Sequence, residues 1–525
     1  MGPERTLKLG LFLSIFGLYL IVGSRERPWG DARIMYEVAE ELVAHGSLQS
    51  VTEWPPMSHR GPDGRMRSIY GLFPSLAAVP GVALRNAVMA LSPKLGPFAT
   101  AITSHLAPTL LGAWTCLLFF GMCRRMNASV GTATLGVAVL AIATSTVIYA
   151  RMPLSEAMQT TCFTGLVAEL ARISDEPTRP RALALGAWAG ALLNTKLVFA
   201  LTVAGAAVFV AYVMWQNRER AAGFIRWAVL GLLPFLALAA AYNYVRWGNP
   251  LKSGYQAENL NLNEHVWVGL QGLFFSSGKS IFLFNPPLIA AALLWPALAR
   301  TRPRFAAAAA LTALPTLLFC ASYSYWGGDW SWGPRYISFL VPVALVPLVL
   351  ALPRLLVSVR RAAVGAIALL VVGGVFVQIL GSAFYWDHFM RITIQAERSW
   401  LGRPNLKGAT SPERDGYCGA CFEEISGYDW LPAFSPIEGH LWLLRHVPRA
   451  HDWKEAQLDA PWRRYTSLTL DIKDGYERAR IDWWGLLWIK DFPEVRAAGL
   501  VSSILFLAIL AAGVVMCVRA LRRLR

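Results

Sequence analysis

Four charged residues stand at the edges of long apolar runs, where a charge is costly to keep. Asp31 follows the first run, within Pro28-Trp29-Gly30-Asp31-Ala32-Arg33. After it, Ile34, Val38 and Leu42 repeat at four-residue spacing with Met35 one turn before Val38. That pattern predicts an amphipathic helix whose apolar stripe rests on a membrane. An Asp at the start of such a helix can cap it and complement its dipole, or face the bilayer surface as a carboxylate general base. Glu156 lies about one turn inside another apolar run, beside Arg151. An ionisable group in that position points to function, the alternative being a structural pair with Arg151 or another buried base. Arg335 stands at the mouth of a third run among Trp326, Trp330, Trp332 and Tyr336, whose faces can stack on a sugar or a guanidinium. It either grips a phosphate or snorkels to lipid headgroups, and Asp329 is a ready partner for it. Lys196, between two short runs, can reach a phosphate or only mark a turn. The stretch from Asn243-Tyr244 to Gly254-Tyr255-Gln256-Ala257-Glu258-Asn259 is rich in amides and hydroxyls that suit sugar hydroxyls, as any solvated loop would be.

Other motifs carry less. Gly278-Lys279-Ser280 ends like a phosphate-binding P-loop, but Gly272 is one residue too far upstream and no soluble strand precedes it. His440, His446 and His451 lie near Asp452 at no zinc spacing, which leaves them as surface or packing residues. Of the seven Cys, only Cys418 and Cys421 sit in a polar stretch. With no second Cys pair nearby, a local disulfide on an oxidising face is the economical expectation.

The elements that must hold these residues are membrane helices. Charged residues make up 16% of the 525 and hydrophobic ones 55%, with a mean hydropathy of +0.42, whereas soluble domains carry about a quarter charged. These figures exclude a water-soluble globule, a disordered chain, collagen and a coiled coil. The excess of 49 Lys plus Arg over 33 Asp plus Glu belongs to cytoplasmic loops rather than to nucleic-acid binding. Apolar runs of roughly 20 residues number about twelve: Leu9 to Gly23, Ala99 to Met122, Val130 to Tyr149, Pro153 to Ala171, Ala182 to Asn194, Val198 to Trp215, Trp227 to Tyr244, Ile281 to Leu298, Phe305 to Tyr323, Tyr336 to Leu352, Ala362 to Ala383 and Ala497 to Val518.

If the chain enters from the cytoplasm, the loops holding Arg124 and Arg125, Arg172 to Arg181, Arg218 to Arg226, Arg300 to Arg304, Arg354 to Arg361 and Arg519 to Arg525 all fall inside. Both termini are then cytoplasmic. Counting Tyr70 to Leu91, which holds Pro74, Pro80 and Arg85, as a span would invert that pattern, so an interfacial or re-entrant helix is expected there. The first apolar run has no small-residue cleavage site and reads as a retained anchor. The expected architecture is an all-α polytopic membrane protein in three parts. Residues 1–384 form a transmembrane module, with an amphipathic first outer loop at 24–98. Residues 385–496 form a small extracytoplasmic domain, whose Asp482-Trp483-Trp484-Gly485-Leu486-Leu487-Trp488 suits the headgroup layer. Residues 497–525 are a final helix and basic tail.

An acid in the first loop ahead of an amphipathic helix, then Gly61-Pro62-Asp63-Gly64-Arg65 and Ser68-Ile69-Tyr70-Gly71-Leu72-Phe73-Pro74-Ser75-Leu76, resembles the multi-span GT-C glycosyltransferases. The resemblance is to the bacterial branch similar to protein O-mannosyltransferases and lipid A aminoarabinose transferases. Tyr149-Ala150-Arg151-Met152-Pro153-Leu154-Ser155-Glu156, Tyr325 to Tyr336 and Ser435-Pro436-Ile437-Glu438-Gly439-His440-Leu441-Trp442 extend it over most of the membrane part.

The resemblance implies a GT-C-like bundle in a bacterial inner membrane, with its active site on the outer face. There a hexosyl or pentosyl group would pass, with inversion, from a polyprenyl-phosphate donor to a hydroxyl of a lipid, glycan or protein. On this view Asp31 is the general base, and Glu156 is a second catalytic candidate facing the active cavity. Arg335, Lys279, Lys196 and Arg151 receive the donor phosphate, and Trp326, Trp330, Tyr336, Tyr255 and Tyr70 line the sugar and acceptor. Ala32 stands where several relatives have the second acid of an Asp-Glu pair, which counts against a paired-carboxylate or metal-assisted route; no cofactor and no metal site are expected. The rival classes are a lipid or solute transporter or flippase, which should show internal repeats and broken midplane helices, and a non-catalytic scaffold for envelope assembly.

Overall fold

The computed structural model describes the chain apart from residues 1, 25–27, 55–56, 174–175, 256–261, 263–264, 329–330, 358–360, 403–426, 484–494 and 525. The chain is an all-α polytopic membrane protein. The strands among the described residues are a short antiparallel hairpin, β1 (Ser58–Arg60) on β2 (Met66–Ser68). The helices run α1 (Pro3–Ile21), α2 (Asp31–His45), α3 (Leu72–Leu91), α4 (Gly96–Arg125), α5 (Val130–Ile142), α6 (Thr146–Ala150), α7 (Glu156–Ile173), α8 (Arg179–Leu193), α9 (Ala200–Gln216) and α10 (Arg218–Trp247). They continue with α11 (Val266–Phe275), α12 (Ile281–Phe284), α13 (Pro287–Thr301), α14 (Pro303–Ser322), α15 (Val341–Val357), α16 (Arg361–Ala383) and α17 (Trp386–Trp400). Shorter helices and the final one, Arg496–Leu524, follow.

Every apolar run expected to span holds a helix, but two are broken. The run from Val130 is interrupted after α5, where the Thr144 hydroxyl turns back to the Leu140 carbonyl at 2.6 Å and Asn285 Oδ1 accepts the Ser145 N–H at 2.7 Å. Asn285 itself sits in the break between α12 and α13, and Gln378 donates to the Phe284 carbonyl there at 2.7 Å. Irregular backbone inside an apolar bundle survives only when such side chains satisfy it. Eight described helices are long and apolar enough to cross a membrane by length and composition, fewer than the dozen expected runs. The physical reason is local: α1 carries Glu4, Arg5 and Lys8, α7 carries Glu156, Glu169 and Arg172, and α5, α8 and α13 are short.

One of the eight is α3, in the segment expected not to span. It begins with Gly71 tight against the Asn194 carbonyl and Phe73 N–H bonded to it at 3.3 Å. Beyond its far end, Leu95 packs on the cluster holding Leu20 and Phe98. Both ends of α3 thus lie at the end of the bundle that carries the C-terminus of α1. The final helix returns along α1, where Gly10, Gly17 and Gly513 let the two backbones touch, as small residues do between membrane helices.

Within 385–496 the described residues bury a core of their own, including Phe389, Trp442, Trp462 and Ile472. Trp442 Nε1 donates to the Ala456 carbonyl at 2.7 Å, and Gln457 holds both the N–H and the carbonyl of Leu470. This unit is tied to the bundle by the Phe384 to Ile481 bridge and by a fully buried ion pair, Arg151 to Asp482 at 2.9 Å.

Breaking one side of that pair leaves a buried uncompensated charge, which costs about 3–5 kcal/mol. Arg151→Met should therefore lower the thermal unfolding temperature of the full chain in detergent, and adding Asp482→Leu should recover part of the loss. Equal unfolding temperatures for wild type and the single variant would contradict this role.

Candidate active site

The site begins with the entry into α2. Gly30 holds the cap position with φ 59°, a left-handed conformation that glycine adopts without a Cβ penalty. Asp31 is the first helical residue, and the hydrogen bonds of its carboxylate among the described residues come from side chains. The carboxylate accepts a hydrogen bond from Tyr70 Oη at 2.7 Å on one oxygen and pairs with Arg335 Nη2 on the other. The helix-cap expectation for Asp31 gives way to this contact. Glu156, the first residue of α7, is 1% exposed, and its Oε1 accepts from Arg335 Nε at 2.6 Å. Its other oxygen, Oε2, is buried with no hydrogen-bond partner among the described residues. Arg335 therefore lies between two carboxylates drawn from helix starts far away in sequence, and it is 7% exposed. It is embedded among protein groups rather than snorkelling, and Glu156 pairs with it rather than with Arg151.

A second cation completes the cluster. Lys196, in the turn between α8 and α9, holds its ammonium 4.3 Å from the centre of the Tyr336 ring. Among the described residues it makes no hydrogen bond or ion pair. Burial and the neighbouring Arg335 lower its pKa, with Glu156 and Asp31 pulling the other way. Arg335 Nη1 likewise has no hydrogen bond among the described residues. Two carboxylates and two cations thus balance, with cationic N–H groups still available beside an aromatic ring.

Burial by itself raises the pKa of Asp31, and Arg335, Tyr70 and Lys196 more than reverse this, so the carboxyl sits below its ordinary 3.8. Tyr70 is held in turn by Arg246, a residue that the sequence reading missed. Arg246 Nη1 donates to the Ser68 and Tyr70 carbonyls at 2.6 and 3.0 Å, its Nη2 donates to Asn243 Oδ1 at 2.6 Å, and it stacks on Tyr242 at 3.8 Å. The available signal was an Arg at the end of an apolar run one helical turn after a Tyr. Glu37, also missed, pins the first loop: it accepts from Arg33, from the Thr52 hydroxyl and from the Val51 and Thr52 N–H groups. Tyr255 is partly buried and its hydroxyl has no partner among the described residues. It packs on the cluster of Ile34, Ile69 and Tyr70.

Three expected residues stand elsewhere. Arg151 is fully buried and committed to the Val22 carbonyl and Asp482, so it is not part of this cluster. Lys279 is also fully buried, with its ammonium 3.0 Å from Ser331 Oγ, 3.3 Å from the Ser331 carbonyl and 3.9 Å from Asp429. Trp326 is 4% exposed, with its ring against Gly272 and edge-on to Trp430 at 5.1 Å, so it offers no open face to a sugar. Trp330, Asp329, Cys418, Cys421, the stretch from Gln256 to Asn259 and the stretch from Trp484 to Trp488 lie outside the described residues. His440 packs on Trp332, while His446 contacts Asp459 and His451, as packing and surface residues do.

No family model and no curated protein matches the chain. Among solved structures it is similar to the crystal structure of ArnT from Cupriavidus metallidurans in the apo state. The TM-score is 0.46 at 14% identity, covering 98% of this chain and 78% of that one. The crystal structure of the same ArnT bound to undecaprenyl phosphate gives a TM-score of 0.46 at 13% identity, covering 97% and 77%. A likeness of this size leaves any case for activity with the side chains themselves.

Two carboxylates should imprint opposite pH dependences on stability. The depressed pKa of Asp31 means that its contribution is present above pH 3.8 and lost as pH falls through the lower folded value. Burial pushes Asp429 up to about 6 against the pull of Lys279, so its contribution is full below 3.8 and lost as pH rises through about 6. Thermal unfolding followed against pH should show Asp31→Asn flattening the curve below pH 3.8 and Asp429→Asn flattening it between 3.8 and 6. Curves parallel to wild type across both windows would contradict these assignments.

Proposed function

We propose that the chain is a membrane glycosyltransferase that moves a sugar from a polyprenyl-phosphate donor to a hydroxyl acceptor, with Asp31 as general base. The observation that carries this proposal is the Asp31, Arg335, Glu156 and Lys196 cluster, in which a base faces cations that retain free donors. Glycosyl transfer from a lipid phosphate asks for both.

In this mechanism the donor phosphate docks on Arg335 and Lys196, competing with Asp31 for the Arg335 guanidinium. Asp31 is thereby released toward the acceptor and takes the proton of its hydroxyl. The acceptor oxygen forms the new bond at the anomeric carbon as the bond to the phosphate oxygen breaks. The lipid phosphate then leaves with its negative charge held by the two cations. A single displacement of this kind inverts the anomeric centre. Glu156 keeps Arg335 oriented while Asp31 moves, and the Tyr336 ring, beside both cations, is placed to cover one face of the sugar. On the orientation expected from the basic loops, this chemistry sits on the extracytoplasmic face of a bacterial inner membrane.

Undecaprenyl phosphate, the lipid bound by ArnT in the structure cited above, supplies the donor class to test. In vesicles holding the full chain and an undecaprenyl-phosphate-linked sugar, Asp31→Asn should cut transfer by at least about 10²-fold while donor binding persists. Lys196→Gln should weaken donor binding and lower kcat/KM by about 10²-fold. Transfer by Asp31→Asn at more than half the wild-type rate would contradict the role given to Asp31.

A further inference from the structure

At the opposite end of the bundle, five arginines from four helix ends converge on one cavity of about 350 Å³. Arg125 ends α4, Arg172 lies in the last turn of α7, Arg181 in the first turn of α8, and Arg302 and Arg304 flank the start of α14. The distance from the active site follows from α7: Glu156 begins it and Arg172 nearly ends it, about 24 Å apart at 1.5 Å per residue. The other neighbours agree, since the N-terminal half of α1 brings Lys8 over Phe120, close to the same end of α4.

Positive charge at such an end is ordinary; the convergence of five arginines on one cavity beside two acids, Glu169 and Glu176, is not. Arg179 stacks on Trp227 and Arg218 on Trp215, as basic residues at a membrane edge commonly do. Around the cavity, Arg172 pairs with Glu169 and Arg181 with Glu176, and Arg304 donates to Gln216 at 3.2 Å. Arg125 and Arg302 make no side-chain hydrogen bond or ion pair among the described residues. The wall between the charges is apolar, formed by Met122, Met126, Ala168, Ala171 and Phe305. A cavity of this size holds about twelve waters at about 30 Å³ each, which is room for a headgroup rather than for a lone ion.

We infer that this cavity binds the phosphate-bearing headgroup of an anionic phospholipid from the leaflet opposite the active site. Its phosphate would lie between Arg125 and Arg302, and the start of its acyl chains would run over Met122, Met126 and Phe305. Arginine forks suit phosphate, and basic pockets between membrane helices are the recurrent form of headgroup sites. Bound there, the lipid joins the ends of α4, α7, α8 and α14, the first two of which also meet beneath the active site.

The test uses the full chain purified in neutral detergent, with thermal unfolding followed against added phosphatidylglycerol, phosphatidylcholine of the same acyl chains, or inorganic phosphate. Phosphatidylglycerol should raise the unfolding temperature saturably by several degrees, and the other two should not. Arg125→Gln with Arg302→Gln should move half-saturation at least tenfold higher, and Arg302→Gln alone, at an exposed turn, should move it the same way by less if the double variant does not fold. Arg179→Gln, off the cavity on Trp227, should respond as wild type does. An equal response to phosphatidylcholine, or unchanged half-saturation in the Arg302 variant, would overturn the site. A full response to inorganic phosphate alone would overturn its assignment to a lipid.

Discussion

The arrangement of the molecule depends on one buried guanidinium held between two acids. Taking a charge out of water costs several kcal/mol, recovered only when its partners are close and its hydrogen bonds are made. Arg335 meets that condition through Asp31 and Glu156, and Lys196 restores the balance that a second carboxylate would otherwise upset. Both acids begin helices, where the backbone dipole favours negative charge, so the scaffold and the ion pairs stabilise the same arrangement. The cluster joins the first loop, α7, the turn before α9 and the mouth of α15 at one point. Displacing the first loop, α7 or the mouth of α15 would leave a charge unpaired.

The supporting contacts are placed to keep Asp31 in register. Gly30 supplies the left-handed residue that lets α2 start without using the Asp31 carboxylate as its cap. Tyr70 reaches that carboxylate from the start of α3, and Arg246 fixes the backbone around Tyr70 from the end of α10. The second buried pair, Arg151 with Asp482, joins the bundle to the separately cored segment after α16. The broken helices meet through Asn285 and Ser145, where a polar side chain completes the irregular backbone.

Helix positions were readable from the sequence because a run of apolar residues is a local signal. The breaks were not, since the one after α5 depends on Asn285, 140 residues away in sequence. Asp31, Glu156 and Arg335 stood out as charges at apolar edges, and the structure brings them together across separations of 304 and 179 residues. The same signal misplaced Arg151 and Lys279, because a basic residue at an apolar edge carries no mark of which acid it will meet. For Arg151 that acid is Asp482, 331 residues on. Trp326 looked available as one aromatic among several, and its burial against Gly272 and Trp430 depends on packing that composition does not encode. Arg246 was passed over because its partners are backbone carbonyls, which every residue has.

The role of the Arg335 cluster is tested most directly by an experimental structure of the full chain with a polyprenyl phosphate bound. The phosphate should lie within hydrogen-bonding distance of the Arg335 guanidinium and the Lys196 ammonium, with the Asp31 carboxylate moved off Arg335 and Glu156 still on it. A phosphate bound away from Arg335, with the Asp31 to Arg335 pair undisturbed, would contradict that role.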